Sequence, residues 1–165
     1  MSFIKKEIIN GFPVYEQWWM KWFDDPVREL VLYVLSPNIM SAMRKIGLNF
    51  SSQSRGTQFD IGGEERRLTF DMFLDGEEGV MPIKVTTHLR ECDVAYHLKE
   101  LKLLREYYSV SHRVTGKMLY SGIAGLEIDE GAREMALGLG MYVIEMVEDT
   151  KYVNIVKPTA ELGKW

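Results

Sequence analysis

From Val27 the apolar positions recur three and four apart: Val27, Leu30, Val31, Val34 and Leu35, then Ile39, Met40, Met43 and Ile46. That period predicts a helix. Asp24-Asp25-Pro26 marks its start, acids ahead of a proline at the first helical position. Ser36-Pro37 predicts a kink, and Gly47 an end. The period then changes. Leu48–Ser52 reads as a short strand, Gln53–Gly56 as a turn, Thr57–Ile61 as strand or loop, and Gly62-Gly63 as a break. Alternation from Glu65 leads into LTFDMFLDGEEGVMPIKVTT, residues Leu68–Thr87. Two apolar runs joined by a glycine-flanked turn predict a hairpin. Each run holds one charge, Asp71 in the first and Lys84 in the second. Pro82 predicts a bulged or unpaired position in the second strand.

The helical period returns over Asp93 to about Tyr108, with Val94, Leu98, Leu101, Leu104 and Tyr108 on one face. His97 falls near that face and reads as a packed core residue. Ser109–Gly116 is a polar loop and Lys117–Ala124 a buried strand. Ile128-Asp129-Glu130 opens a third helix through Ala132, Met135, Ala136 and Leu139, ended by Gly140. Met141–Val147 and Tyr152–Val156 form a terminal hairpin. Each of the two later helices joins strands over a crossover of the length that builds parallel pairs. The expected fold is α/β, a mixed β-sheet flanked by helices on both faces, in the order α-β-β-β-α-β-α-β-β.

Residues 1–23 stand apart. Phe12, Tyr15, Trp18, Trp19, Trp22 and Phe23 crowd this segment, four of them at helical spacing. It reads as an aromatic arm packed on its own domain or on a second copy, ahead of a domain over 24–157 and a loose tail over 158–165. Little positive charge accompanies these aromatics, which argues against a membrane-surface anchor. At 165 residues, 46% hydrophobic and 27% charged, the chain can bury a core. A net charge of −4 gives no whole-molecule attraction for nucleic acid, so such a site must be a local patch. One cysteine, Cys92, and the lack of a signal-peptide core or a bilayer-length apolar run lead us to expect a cytoplasmic protein.

A charge in the middle of each hairpin strand is costly unless the two pair or bind something. An acid on one strand and acid-x-Lys on the next form an arrangement for metal-dependent phosphodiester cleavage. Residues two apart on a strand share a face, so acid and lysine act on one site. Carboxylates hold a hard cation, and the lysine stabilises developing charge.

On these residues the chain resembles the restriction-endonuclease-like PD-(D/E)xK superfamily, and within it a family of uncharacterised bacterial proteins. The resemblance spans about Asp25 to Val156. VRELVLYVLSPNI resembles the family's first helix and puts Glu29 at its acid. FDMFLD resembles the strand with the motif aspartate, Asp71. PIKVTTHLRECDVAYHLKELKLL resembles the acid-x-Lys strand and the following helix, with Lys84 at the motif lysine. GIAGLEIDEGAREMALGLGMYVIE resembles the later strand–helix–strand unit. Pro82 stands where the family has the second acid. The resemblance therefore implies Asp71, Lys84 and Glu29 as catalytic residues, with Asp71 and Glu29 left to hold Mg²⁺ and Thr86 as a polar support. Glu78 lies four residues from Pro82, about 13 Å at strand rise, too far to substitute.

Three readings follow from the sequence. One is a Mg²⁺-dependent endonuclease-like hydrolase of DNA with an incomplete, degenerate motif. Another is a non-catalytic descendant that binds nucleic acid or a protein partner, in which Asp71 and Lys84 form a structural ion pair. The third is a scaffold that self-associates as a homo-oligomer through the N-terminal arm. From Lys84 to Lys117 seven Lys/Arg meet four acids. Arg90, Lys99, Lys102 and Arg113, with His88 and His112, are the nucleic-acid-binding candidates. The alternative for that run is a solvated helix face.

Overall fold

A computed structural model of the protein describes residues 5–9, 12–16, 18–61, 67–111, 117–146 and 153–161, with the backbone alone described for 5–28 and 108–111. The role of the aromatic arm in assembly, and the placements of His112 and Arg113, lie outside the described residues. Strands β1 (Lys5–Ile9) and β2 (Phe12–Glu16) pair antiparallel as a separate ribbon. Helix α1 (Trp18–Lys45) begins six residues before Asp24 and runs on through Pro26 and Pro37. Tyr15 thus falls on β2, and Trp18, Trp19 and Trp22 on the helix.

A proline inside a helix removes one backbone donor and crowds the preceding turn. Around Pro37, side chains supply donors. Asn38 Nδ2 donates to the Val34 carbonyl at 3.0 Å, Arg55 to that of Leu32 at 3.1 Å, and Gln53 to that of Ser36 at 3.0 Å. Two of these three come from strand β3 (Ser52–Asp60), which tethers helix to sheet. The sequence reading divided this strand into a turn and a doubtful segment. Most of its side chains are exposed, so it lacks the alternation of a half-buried strand.

The remaining elements are β4 (Arg67–Asp75), β5 (Gly79–Leu89), α2 (Glu91–Ser111), β6 (Met118–Leu119), β7 (Gly122–Ile128), α3 (Glu130–Gly138), β8 (Tyr142–Met146) and β9 (Val153–Val156). The sheet order is β3-β4-β5-β7-β8-β9, with β6 beside β5. β3, β4 and β5 form an antiparallel meander, the pairs β5–β7 and β7–β8 are parallel, and β9 closes antiparallel on β8. Both parallel pairs are bridged by a helix, as expected. α1 packs on one face through Val31, Leu32, Leu35, Ile39 and Met43 against Met72, Met81, Ile83 and Ile144. α2 and α3 cover the other through Val94, Leu101, Ala132 and Ala136 against Ile123 and Val143. With β1, β2 and the short β6 set aside, this is the α/β order predicted from the sequence.

Pro82 is buried and stays in register, opposite Phe73. The Gly76 N–H donates to the Gly79 carbonyl at 3.0 Å, and antiparallel pairs alternate from there. Phe73–Pro82 is therefore a non-hydrogen-bonded pair, and the missing N–H lies on the far edge of β5. On that edge the partner changes from β6 to β7 across Tyr120-Ser121. The ladder is interrupted on that far edge alone; against β4 the expected bulge or unpaired position does not occur, because the missing donor points away from β4. The tail reaches back to α3: Thr159 and Ala160 N–H groups donate to the Leu137 carbonyl at 3.0 and 3.3 Å.

Candidate functional site at a fork in the sheet

Alternate residues of a strand share a face, and β4 breaks that rule at one point. Met72 and Leu74 pack against α1, whereas Phe70 and Phe73 join the cluster under α2 that holds Leu104. The strand turns over at Asp71. β3 does the same opposite it. Arg55 reaches α1, while Phe59 meets Phe70, Phe73 and Tyr107 on the other side. Gly56 sits between them with φ +57°, a conformation that costs a side chain and suits glycine. Gly56 and Asp71 are the pair absent from an otherwise continuous β3–β4 register.

Beyond this twist β4 leaves β5, whose pairing with it ends at Met72↔Ile83. By the same alternation the Val85 N–H points to the side that β4 has vacated. Asp71 fills the place: its Oδ2 accepts that N–H at 2.8 Å. An orphaned backbone donor is costly, so the carboxylate is fixed at the fork by the ladder it completes.

A cleft of about 960 Å³ opens between the arms of the fork, lined by 67–71 of β4, 84–88 of β5, the first turns of α2, and Glu29 with Leu32 of α1. The three residues singled out in the sequence, Glu29, Asp71 and Lys84, all border it. Lys84 meets Glu100 of α2, Nζ to Oε1 at 3.9 Å, an ion pair beyond hydrogen-bond range. The same ammonium lies 4.8 Å from the centre of the Tyr96 ring, a cation–π contact. Glu29 is 60% exposed and pairs with Arg55 at 3.8 Å. Thr86 borders the cleft, its hydroxyl donating to the His88 carbonyl at 3.2 Å. His88 donates from Nε2 to Asp129 Oδ1 at 2.6 Å.

Glu100 is the residue that sequence reasoning missed. It is 8% exposed. Burial pushes its pKa up to about 7, the Lys84 ammonium opposes that, and the Asp71 carboxylate adds to it. Asp71, Lys84 and Glu100 therefore form one electrostatic unit, two carboxylates and an ammonium from β4, β5 and α2. The available signal was an acid on the apolar stripe of α2, one residue before Leu101 and three after His97. Asp93 Oδ2 accepts the Arg90 N–H at 2.9 Å, a cap that fixes the start of α2. Deeper in the helix, His97 is fully buried, donor or acceptor to Ser121 Oγ at 2.9 Å, and edge-on to Phe70. Burial first, then the Lys84 charge, lower its pKa to about 3, so it is neutral.

Of the nucleic-acid candidates, Arg90 borders the cleft. Lys99 and Lys102 are exposed on α2 and do not line it. Lys117 is engaged with Asp75 at 2.9 Å. Among the described residues no three His, Cys, Asp or Glu side chains cluster as a metal-binding group, and no helix is long and apolar enough to cross a membrane.

No protein-family model matches the chain, and no curated protein matches it. Among solved structures, the small subunit of the heterodimeric restriction endonuclease R.BspD6I is similar over 74% of this chain and 71% of that one, at 16% identity and a TM-score of 0.37. A likeness of that size carries no argument about the site, which rests on its own geometry.

Proposed function

We propose that the cleft is a rearranged phosphodiester-hydrolysing site in which Glu100 takes the part of the acid that β5 lacks at Pro82. The observation that carries this reading is the buried Glu100 carboxylate set against both Lys84 and Asp71. A carboxyl whose pKa is raised chiefly by burial, with a second carboxylate adding to the rise, is an arrangement that a bound cation would relieve. The donor set suits a small hard ion such as Mg²⁺, which needs one or two carboxylates and takes water and phosphate oxygens for the rest. Asp71 and Glu100 would hold it, and when bound it supplies Lewis-acid polarisation of the phosphate and a more acidic water. Asp71 is oriented by the Val85 N–H. Lys84 places a positive charge where negative charge develops on the phosphoryl oxygens. Glu100 gives up its proton near neutrality. Glu29, spent on Arg55 and largely exposed, has no part in the centre.

The second reading, a non-catalytic descendant, draws on the engagement of Lys84 with both Glu100 and the Tyr96 ring. Calorimetric titration with Mn²⁺, alongside hydrolysis of bis(p-nitrophenyl) phosphate, separates the two. Glu100→Gln is expected to weaken Mn²⁺ binding at least ten-fold, and Glu29→Gln to leave it unchanged. Lys84→Ala is expected to keep the metal and lose hydrolysis. A wild-type protein that neither binds Mn²⁺ nor hydrolyses the ester overturns the proposal in favour of the descendant.

A further inference from the structure

We infer that the cleft takes single-stranded nucleic acid, with a base stacked on Tyr96 and its phosphate at Lys84. This deepens the hydrolytic reading by naming a substrate class, and it rests on that reading for the role of Lys84. Charge is the first argument. The described residues lining the cleft include four Lys/Arg, namely Arg55, Arg67, Lys84 and Arg90, and an equal number of carboxylates. Duplex binding without sequence contacts draws its affinity from cations that neutralise phosphates and release counterions. A cleft balanced in charge, on a chain of net charge −4, supplies little of that. Stacking on an aromatic ring needs no net charge and accepts any base.

Shape is the second argument. About 960 Å³ lies at the upper end of the roughly 300–1,000 Å³ of small-ligand clefts. It admits a few nucleotides. Glu100 is almost wholly enclosed, so a phosphate must enter the fork to reach it. A flexible strand can do so, whereas a duplex holds its phosphates on the outside of a stiff rod. The third argument is Tyr96 itself. A large aromatic residue at the cleft is 40% exposed, and its ring centre is 4.8 Å from the Lys84 ammonium. Base-binding surface and phosphate-binding cation thus fall within one nucleotide of each other.

The test is fluorescence anisotropy of the full chain, without divalent metal, using labelled oligothymidine, oligouridine and a hairpin duplex of equal length. Wild type is expected to bind the single strands at least ten-fold more tightly than the duplex. Tyr96→Ala is expected to lose about ten-fold on the single strands, and Tyr96→Phe to retain them. A difference between the DNA and RNA strands identifies which is preferred, and either one supports the inference. Equal or tighter duplex binding, an unchanged Tyr96→Ala affinity, or no binding of any strand overturns it. Bis(p-nitrophenyl) phosphate is a single small diester with no strand to track, so its hydrolysis is read separately from strand binding. Hydrolysis without strand preference sinks the substrate assignment only. Strand preference lost in Tyr96→Ala, without hydrolysis, sinks the hydrolytic reading and leaves the strand site standing.

Discussion

Replacing Glu100 with glutamine should reverse a pH dependence that the wild-type fold carries. The ordinary value of 4.5 rises to about 7 in the folded chain. Between those two values the native state holds a proton that the unfolded state has released. Stability from this group is therefore greatest below pH 4.5 and falls as the pH rises to 7. At roughly 1.4 kcal/mol per pKa unit, the loss amounts to about 3 kcal/mol. Glutamine imitates the neutral acid in size and hydrogen bonding. Glu100→Gln should match wild type near pH 4.5 and exceed it by up to about 3 kcal/mol at pH 8.

His97 acts in the opposite sense. Held neutral down to about pH 3 against an ordinary 6.5, it contributes stability that is lost as the pH falls below 6.5. The two slopes oppose each other between 4.5 and 6.5, so the variant's profile should keep rising across a window where wild type is flatter. Urea unfolding of both proteins from pH 4 to 8 reads the difference directly, since all other groups are shared. Parallel profiles would refute the claim that Glu100 is a desolvated carboxylate, and with it the cation site. Saturating Mn²⁺ supplies a second check: it should stabilise wild type most at pH 8 and the variant little at any pH.

Asp71→Asn keeps an oxygen for the Val85 N–H while removing the charge, so it should cost less stability than Asp71→Ala and abolish Mn²⁺ binding by calorimetry. Asp71→Ala leaves that N–H unpaired and should cost about 1–3 kcal/mol in chemical denaturation. Pro82→Glu puts an acid on the Lys84 face of β5 at a buried position. The melting temperature should fall without metal, since a buried acid lacking a partner is destabilising, and Mn²⁺ should restore part of the loss. A variant as stable as wild type in the absence of metal would show that the position opens to water.

The order of elements was legible because most carry their period openly. Val31, Leu35, Ile39 and Met43 of α1 and Val94, Leu101 and Leu104 of α2 are buried where their spacing puts them, whereas Leu30 of the α1 stripe is exposed and Leu32, off it, is buried. β3 was not legible, because an edge strand with exposed polar side chains has no face to alternate. The start of α1 was misread because proline at Pro26 imitates a first helical residue. At the site, Asp71 and Lys84 stood out as charges within apolar runs. Glu100 did not, because one acid among several on a charged helix resembles a solvated one until the strands beneath it are in place. Glu29 borders the cleft, as its place in the first helix suggested, and its 3.8 Å pair with Arg55 was not legible because β3 was not recognised.

The splayed strands leave one amide whose exchange with solvent reports on chemistry at a distance. Val85 donates to a carboxylate oxygen rather than to a neighbouring backbone, so its protection follows the charge and occupancy of Asp71. Deuterium uptake at that single position would register whatever competes for the carboxylate, without a label, a substrate or a turnover.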